Sequence, residues 1–244
     1  MADILDGNNK KKDIAQILEE YFAVKEEEQK VPLVSEVIDI NHTKEYEDLT
    51  IHKVNEHTRA YIKIQDGCNQ FCSYCIIPYT RGRIRSKNPE EVIEEVKNLA
   101  AQGYKEIVLT GIHLSSYGKD LGDITLLDVI QRIQQIEDIE RIRLGSLEPR
   151  IITEQFVKEL RACDKVCPHF HLSLQSGCDE TLKRMNRKYT TEEYETALNV
   201  LRTYYEHPAL TTDVIAGFVG ETEEEFEKTR AYLEKINLYE MHIF

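Results

Sequence analysis

Strand patterns and helix patterns alternate along the chain from residue 61 onward, and this alternation restricts the fold more than any other feature. Each predicted strand is a short run of apolar or β-branched residues followed by a longer amphipathic stretch. The six predicted strands span residues 61–65, 106–110, 141–145, 169–174, 212–216 and 240–244. This pattern predicts an α/β fold with a mainly parallel sheet, either open or rolled into a barrel.

Several of the intervening helices have recognisable starts. Asn88 can cap a helix whose first turn contains Pro89, and Thr153 can cap the helix after the third strand. Thr222 and Glu225 have the spacing of a capping box. These signals predict where three of the helices begin.

The first 57 residues have a different pattern. Apolar residues at helical spacing predict one amphipathic helix over residues 13–28. The polar stretch that follows predicts a linker to about residue 57, with at most one short strand within residues 34–40.

Glycines and polar residues recur where the predicted strands end. In parallel α/β barrels, active sites lie at the carboxyl ends of the strands, so these segments predict one common site. No G-x-G-x-x-G follows the first strand, which leaves a dinucleotide-binding sheet with little support. The segments are residues 67–75, 111–113, 146–148, 175–177 and 217–221.

Three cysteines, Cys68, Cys72 and Cys75, follow the first strand with the spacing C-x3-C-x2-C. Thiolates select zinc, copper(I) or iron–sulfur clusters. A structural zinc site normally has four protein ligands, whereas three cysteines on a four-iron cluster leave one iron open to another ligand. Because no fourth ligand is close in sequence, the pattern favours a cluster. A zinc site with a distant fourth ligand, a disulfide with a spare thiol, and three buried cysteines remain open.

The net charge of −13 argues against a nucleic-acid partner, because phosphate binding needs clustered cations. The distribution of charge argues the other way, since Arg81, Arg83, Arg85 and Lys87 lie directly beside the cysteines. We therefore predict that the three arginines contact RNA, with a solvated turn as the equally consistent alternative.

No apolar run approaches the roughly 20 residues that span a bilayer, and the first residues lack the apolar stretch of a signal peptide. The sequence thus predicts a cytoplasmic protein without a membrane partner. The six cysteines are then more consistent with metal ligands or buried thiols than with disulfides.

Five longer motifs, in their order, resemble those of the radical S-adenosylmethionine (SAM) methylthiotransferases. Within that family the chain most resembles the enzymes that act on threonylcarbamoyladenosine in tRNA. The motifs are GCNQFCSYCIIPYTRGRIRS (67–86), TGIHLSSYG (110–118), HLSLQSG (171–177), MNRKYT (185–190) and TDVIAGF (212–218). The resemblance implies a partial (βα)6 radical SAM barrel over residues 58–244, truncated at the sixth strand. Residues 1–57 would be the remnant of an N-terminal methylthiotransferase domain plus a linker.

By this resemblance, Cys68, Cys72 and Cys75 bind a [4Fe-4S] cluster, and its open iron takes the amino and carboxylate groups of SAM. Cleavage of SAM then yields a 5'-deoxyadenosyl radical. Tyr74 would lie against the adenine, and Gly111 would let the backbone approach the methionine end. The family's N-terminal domain holds a second [4Fe-4S] cluster, but residues 1–60 contain no cysteine. The family's C-terminal RNA-binding domain is also expected to lie outside the chain.

Further polar residues are expected near the cofactor. Glu148, Gln175 and Arg187 are candidate SAM contacts, with a helix-start carboxylate, a strand-end turn and a surface charge as their respective alternatives. His113 lies in a loop that varies with substrate in the family, so we expect it to contact the substrate RNA. Asp213 is either a catalytic residue or a buried polar residue whose contacts only stabilise the fold.

The other three cysteines, Cys163, Cys167 and Cys178, have the wider spacing C-x3-C-x10-C. This spacing crosses a predicted helix end, a strand and a loop, and free cysteines are commonly buried, so we expect a structural role. Val219 stands where the family usually has proline, which affects a turn and says little about activity.

The predicted activity is conversion of N6-threonylcarbamoyladenosine, next to the tRNA anticodon, to its 2-methylthio derivative. The expected partners are tRNA and an electron donor such as flavodoxin or ferredoxin, and no oligomeric state is predicted. This chain alone is expected to cleave SAM without thiomethylating RNA, because the ligands of the second cluster are missing. The alternatives are a methylthiotransferase for isopentenyladenosine tRNA or a ribosomal protein, and a non-catalytic zinc or iron–sulfur module that binds RNA.

Overall fold

The computed structural model describes residues 4–27, 34–48 and 58–244. Its strands are β1 (Ile4–Asp6), β2 (Val34–Glu36), β3 (Arg59–Asp66), β4 (Arg85–Ser86), β5 (Glu106–Gly111), β6 (Arg141–Leu144), β7 (His169–His171), β8 (Ala209–Val214) and β9 (Glu240–Ile243). Its helices are α1 (Ile14–Glu27), α2 (Ile77–Thr80), α3 (Pro89–Ala101), α4 (Leu126–Gln134), α5 (Glu154–Arg161), α6 (Asp179–Arg184), α7 (Thr191–Tyr204) and α8 (Glu223–Ile236).

Six parallel strands form one curved sheet in sequence order. Strands β3, β5 and β6 pair with one another, as do β7, β8 and β9. Isolated parallel bridges, Leu147 to Leu172 and Ile142 to Val166, join the two sets. The predicted partial (βα)6 barrel is therefore confirmed. The short strand β4 was not predicted, and it pairs antiparallel with β3 at the outer edge.

The two faces of the sheet differ in polarity. Along β3, Ala60, Ile62 and Ile64 are buried in the apolar core, whereas Tyr61 is exposed. The same core includes apolar residues of α3, α4 and α7, which cover the convex face. Because side chains alternate along a strand, the concave face carries the remaining, mostly polar residues.

The predicted helix starts are confirmed. The side chain of Asn88 accepts a hydrogen bond from the backbone of Glu90, and Thr153 caps α5. Thr222 and Glu225 form a reciprocal capping box at the start of α8. These caps fix where each helix leaves the sheet.

The N-terminal region contacts the barrel. The helix predicted over residues 13–28 is α1, and residue 28 itself lies outside the described residues. Residues 39–48 lack regular secondary structure, as expected of a linker, yet Tyr46 Oη donates to the Lys63 carbonyl and Asp48 pairs with Lys87. The proposed boundary at residue 57 lies in the segment 49–57, outside the described residues.

Several strands differ from prediction, and β7, for example, ends at His171 although residues 169–174 were predicted. Strand β1 was not predicted, and it pairs in parallel with β2. Strand β8 begins at residue 209, three residues earlier than expected, because the polar Thr211 and Thr212 take part in the sheet. Within the described residues, no helix has both the length and the apolar composition needed to cross a bilayer.

Candidate functional site

The loop between β3 and α2 carries Cys68, Cys72 and Cys75, which we call the loop cysteines. Gly67 begins this loop with a positive φ of 70°, and a Cβ there would lie 1.8 Å from the Arg83 carbonyl oxygen. Only glycine fits this position without rearrangement. The backbone amide of Cys68 then donates to the Gly82 carbonyl, which folds the loop back on the basic turn.

The loop cysteines line one cavity of about 270 Å³ at the carboxyl ends of the strands. Tyr74, His113, Glu148, Ser173 and Arg187 also line it. Three of the five predicted segments, 67–75, 111–113 and 146–148, therefore meet at this cavity, together with Ser173 after β7 and Arg187 between α6 and α7. The predicted segments 175–177 and 217–221 do not line it. Two other predicted site residues, Gly111 and Gln175, do not line this cavity.

The cavity surrounds the thiols with hydrogen-bond donors. Arg187 Nη1 lies 3.2 Å from Cys72 Sγ, and the Gln70 backbone amide lies 3.5 Å from Cys68 Sγ. Burial raises the pKa of the Cys68 thiol, and the two neighbouring cysteines raise it further, while the Gln70 amide and Arg187 oppose them. Binding of a cation at this thiol would displace its proton.

The three thiols fit a four-iron cluster, because they lie in one loop and line one cavity. A zinc ion would need all its ligands within about 2.3 Å of one point. In a four-iron cluster each cysteine binds a different iron, so the three thiols line a cavity without converging.

Arg187 is held firmly at the cavity wall. It lies between α6 and α7, where its Nε donates to Tyr189 Oη at 2.9 Å and its guanidinium lies over the Tyr189 ring. Tyr189 Oη in turn donates to the carbonyls of Ser173 and Leu174. Burial lowers the pKa of Arg187, but Tyr189, Tyr74 and Cys72 outweigh it and raise the pKa overall. The guanidinium thus stays charged beside the thiols.

Gly111 serves a close approach, but to Gln65 rather than to the cavity. A Cβ on Gly111 would lie 2.9 Å from Gln65 Cβ. The fully buried Gln65 donates to the carbonyls of Asp66 and Gly67 and accepts from the His113 backbone amide. Gln65 therefore ties the start of the cysteine loop to the loop after β5. The sequence signal for it was a polar residue at the end of an otherwise alternating strand.

Glu148 and His113, which both line the cavity, lie next to each other. Glu148 Oε1 accepts from Arg150 Nε at 2.6 Å, and its Oε2 lies 3.7 Å from His113 Nε2. The pKa of His113 is lowered to about 4, mainly by burial. Glu148 opposes this shift, and Lys119 adds to it. His113 is therefore neutral near pH 7 and can accept or donate a hydrogen bond.

Tyr74 lies at the mouth of the cavity, with 41% of its surface exposed. Its ring meets Phe218 edge-on. Burial and the neighbouring Cys72 and Cys75 raise its pKa to about 12, with Arg187 opposing. A half-exposed ring at this position leaves one face available for a ligand.

Gln175 has a backbone role in the structure. It adopts a positive φ of 73°, and its backbone amide and carbonyl bond to Asp213 and Ile215. This corresponds to the strand-end turn that was its alternative. Ser173, two residues earlier, lines the cavity instead and was not singled out from the sequence.

The prediction that Arg85 contacts RNA is wrong for this structure. Arg85 is 2% exposed, and its Nη1 donates to the carbonyls of Arg81 and Arg83 at 2.8 and 3.0 Å. Lys87 is equally buried between Asp48 and Glu95. Both cations alternate inward along the short strand β4 and its extension, so half of the basic stretch is structural.

Arg81 and Arg83 do reach solvent. Arg83 is exposed, and its guanidinium lies 4.5 Å from the centre of the Phe71 ring. Arg81 is partly exposed, with its Nη1 3.5 Å from Asp66 Oδ1. Their contact with RNA remains a prediction.

The second group of cysteines, Cys163, Cys167 and Cys178, is called the scattered cysteines here. Cys163 and Cys178 are buried, and Cys167 is partly exposed. Cys163 Sγ lies 3.9 Å from the Glu159 carbonyl, while Cys178 Sγ lies 2.9 Å from Glu180 Oε2. None of the three lines the cavity of the loop cysteines.

The relatives of this chain include tRNA methylthiotransferases. The threonylcarbamoyladenosine tRNA methylthiotransferase of Bacillus subtilis (strain 168) is 40% identical over 244 residues, which cover all of this chain and 53% of that protein. Its counterpart in Aquifex aeolicus (strain VF5) is 40% identical over 243 residues, 58% of its length. The tRNA-2-methylthio-N(6)-dimethylallyladenosine synthase of Thermoanaerobacter sp. (strain X514) is 46% identical over 193 residues, 79% of this chain and 41% of that protein. The chain thus spans about half the length of these relatives.

Solved structures share the fold at low sequence identity. A radical SAM methyltransferase from Kitasatospora setae superposes with a TM-score of 0.63 at 19% identity, over 76% of this chain and 35% of that one. Coproporphyrinogen III oxidase from Escherichia coli gives a TM-score of 0.54 at 17% identity, over 75% and 43%. The family model for the radical SAM superfamily matches residues 62–233, from β3 into α8. The chain belongs to the radical SAM superfamily.

Proposed function

We propose that this chain carries the catalytic barrel of a tRNA methylthiotransferase. Its substrate would be N6-threonylcarbamoyladenosine beside the anticodon, and its product the 2-methylthio derivative. One observation carries the proposal: the loop cysteines line a single cavity at the carboxyl ends of a six-stranded partial barrel. Relatives at 40% identity over the whole chain support the substrate.

The residues present fit a [4Fe-4S] cluster. Cys68, Cys72 and Cys75 would each bind one iron, leaving the fourth iron open for SAM. When bound, the cluster supplies the electron with which SAM is cleaved reductively. The chain's own residues shape the surroundings, since Arg187 places a positive charge 3.2 Å from Cys72 Sγ and so favours the anionic thiolate.

The cavity wall offers distinct contacts to SAM. Tyr74 presents a half-exposed ring against which an adenine can stack. Arg187 and the neutral His113 provide donors, and Glu148 provides an acceptor. With SAM bound, the residues around the cavity would also limit access of water to a reactive carbon radical.

The remaining components are proposals of the same kind. We propose tRNA as the nucleic-acid partner, with the exposed Arg81 and Arg83 beside the site as phosphate contacts. The reductant would be a small electron-transfer protein such as flavodoxin or ferredoxin, and the compartment the cytoplasm. Residues 1–57 would belong to an N-terminal methylthiotransferase domain and linker, and residues 58–244 to the radical SAM core. Sulfur transfer would then need a second cluster, so this chain alone would cleave SAM without modifying RNA.

The second candidate substrate is dimethylallyladenosine in tRNA. It is favoured by the 46% identity of the Thermoanaerobacter synthase, although that match covers 79% of the chain. The two substrates differ in the group on N6, which is polar in one and a hydrocarbon in the other. The products therefore have different masses.

Mass spectrometry of tRNA nucleosides tests the proposal. The gene that encodes this chain is deleted from its host, and the complete gene or its Cys72→Ala variant is returned on a plasmid. We expect 2-methylthio-N6-threonylcarbamoyladenosine to disappear on deletion and to return only with the unmodified gene. Loss of the dimethylallyl product instead would identify the second candidate, and no change in either nucleoside would refute both.

A further inference from the structure

A group of polar side chains lies on the concave face of the last three strands, away from the loop cysteines. It consists of His171 on β7, Thr211 and Asp213 on β8, and His242 on β9, and we call it the interior polar cluster. The side chains that alternate with it on β7 and β8, including Phe170 and Leu210, are buried in the core. The cluster therefore faces the inside of the partial barrel.

Asp213 is the centre of this cluster. Its Oδ2 lies 3.2 Å from His171 Nε2, and its Oδ1 lies 3.5 Å from His242 Nδ1. His171 Nδ1 lies 3.1 Å from Thr211 Oγ1, so the His171 ring is fixed on both sides. An ionised carboxylate has about four lone-pair positions, and two imidazole contacts leave acceptor capacity for a ligand.

The cluster is accessible as well as ordered. The side chain of Asp213 is 29% exposed and that of His242 is 61% exposed, whereas His171 is 16% exposed. Backbone pairing already joins these three strands. A group of hydrogen-bonded side chains that only stabilised the fold would therefore be expected to be buried. The exposure of Asp213 and His242 leaves them reachable from the barrel interior.

The cluster and the cysteine cavity are linked through the chain that follows β7. Ser173 lines that cavity and follows His171 by two residues on the same side of the extended chain. Two residues of extended chain span about 7 Å. One ligand of nucleoside size can therefore contact the cavity and the interior polar cluster together.

The chemistry of the cluster matches the edge of a purine. Adenine presents a hydrogen-bond acceptor, a ring nitrogen, next to a donor, the exocyclic N6–H. A single substituent on N6 leaves one N–H in place. Asp213 supplies an acceptor for the N6–H. On the neighbouring strand His242 Nδ1 faces Asp213, so Nε2, which lies 3.9 Å from Glu240 Oε1, is the ring nitrogen that can meet the base. Enzymes that act on a base in RNA read such edges after moving the base out of its stack.

We propose that the interior polar cluster binds the base edge of the purine nucleoside that the enzyme modifies. Asp213 and His242 contact the base, and His171 is a positioning residue that orients Asp213. The proposal rests on the proposed function for the identity of the nucleoside, N6-threonylcarbamoyladenosine. It assigns no covalent step to these residues.

Nuclear magnetic resonance of the histidine rings tests the proposal directly. The reconstituted chain is titrated with free N6-threonylcarbamoyladenosine, with cytidine as the control ligand. We expect the ring signals of His171 and His242 to shift with the purine nucleoside only. His207, which is exposed on a turn outside the barrel, should not respond. Unchanged His171 and His242 signals at saturating nucleoside would overturn the proposal.

Two matched variants separate binding from stability. Asp213→Asn replaces an acceptor oxygen with a donor and should weaken nucleoside binding about tenfold, whereas His207→Gln should leave it unchanged. An Asp213→Asn variant that binds as tightly as the unmodified chain contradicts the proposal. If Asp213→Asn lowers the melting temperature, nucleoside binding by His171→Gln is measured instead. Weaker binding is again expected, and binding as tight as that of the unmodified chain would contradict the proposal. Nucleoside binding without methylthio transfer by the complete protein would refute the proposed function alone, and transfer without the ring shifts would refute this inference alone.

Discussion

The loop cysteines and the scattered cysteines occupy opposite kinds of environment, although each group contains a C-x3-C pair. The loop cysteines share one cavity, because all three lie in a single loop at the end of β3. The scattered cysteines lie after α5, before β7 and at the start of α6, and each packs separately. No helix or strand separates the loop cysteines from one another, whereas β7 separates Cys178 from Cys163 and Cys167.

The charges around the two groups also differ. Arg187 donates to Cys72 Sγ, which favours the thiolate that binds a metal. Cys178 instead lies 2.9 Å from the Glu180 carboxylate, and burial followed by this contact raises the pKa of its thiol. A neighbouring cation thus accompanies the group that can bind metal, and a neighbouring anion accompanies a thiol that stays protonated.

The largest expected effect is on iron content. Cys72→Ala should lose nearly all cluster iron after anaerobic reconstitution. The loop offers three cysteine ligands to the cluster, and the variant keeps two of them. Cys163→Ala should retain its cluster iron. Iron and sulfide analysis measures both variants. Loss of iron from Cys163→Ala as well would contradict the distinction between the loop cysteines and the scattered cysteines.

The next effect concerns the support of the cysteine loop. Arg85→Ala should lower the free energy of unfolding of the apo chain by about 3 kcal/mol, because it leaves the Arg81 and Arg83 carbonyls without their buried donor and removes a positive charge 3.8 Å from Asp66. Arg83→Ala, on the exposed side of the same turn, should change it by less than about 0.5 kcal/mol. Urea unfolding measures both, and equal losses would mean that Arg85 is not a structural residue.

The third prediction concerns the positive charge of Arg187 beside Cys72. Arg187→Ala should lower SAM cleavage at least about tenfold, because a charge-assisted hydrogen bond to a cluster ligand is lost. Arg161→Ala is the matched control, since Arg161 lies over the Tyr205 ring and does not line the cavity of the loop cysteines. Rates are measured under single-turnover conditions at equal iron content. An unchanged rate in Arg187→Ala would remove it from the site.

The smallest expected effect is on stability through the scattered cysteines. Cys163→Ala should lower the free energy of unfolding by about 1 kcal/mol, since it removes one buried sulfur from the core. SAM cleavage should not change. Urea unfolding alongside the cleavage assay checks both statements, and a loss of cleavage at full iron content would give this cysteine a role in the site.

The sequence predicted the features that depend on local chemistry. Strand and helix alternation predicted six strands in a mainly parallel sheet, and the family resemblance predicted that the sheet forms a partial barrel. The caps at Asn88, Thr153 and Thr222 predicted helix starts, because each signal lies within a few residues. The loop cysteines were predictable for the same reason. Their gathering into one cavity follows from the position of the loop at a strand end.

The sequence could not predict features that depend on packing between distant segments. Arg85 and Arg83 read alike in the chain, and only the inward turn of β4 buries one of them. The closeness of Gly111 to Gln65 likewise requires the parallel register of β3 and β5. Gln175 turned out to bond through its backbone because its positive φ follows from the bridge to β8.

The most direct test of the central claim is formation of 5'-deoxyadenosine by the chain itself. The chain is reconstituted anaerobically with iron and sulfide, then supplied with SAM and dithionite, with Cys72→Ala as the control. We expect 5'-deoxyadenosine from the unmodified chain and none above background from the Cys72→Ala variant. No product from a chain with a fully loaded four-iron cluster would contradict the claim that this cavity binds and cleaves SAM.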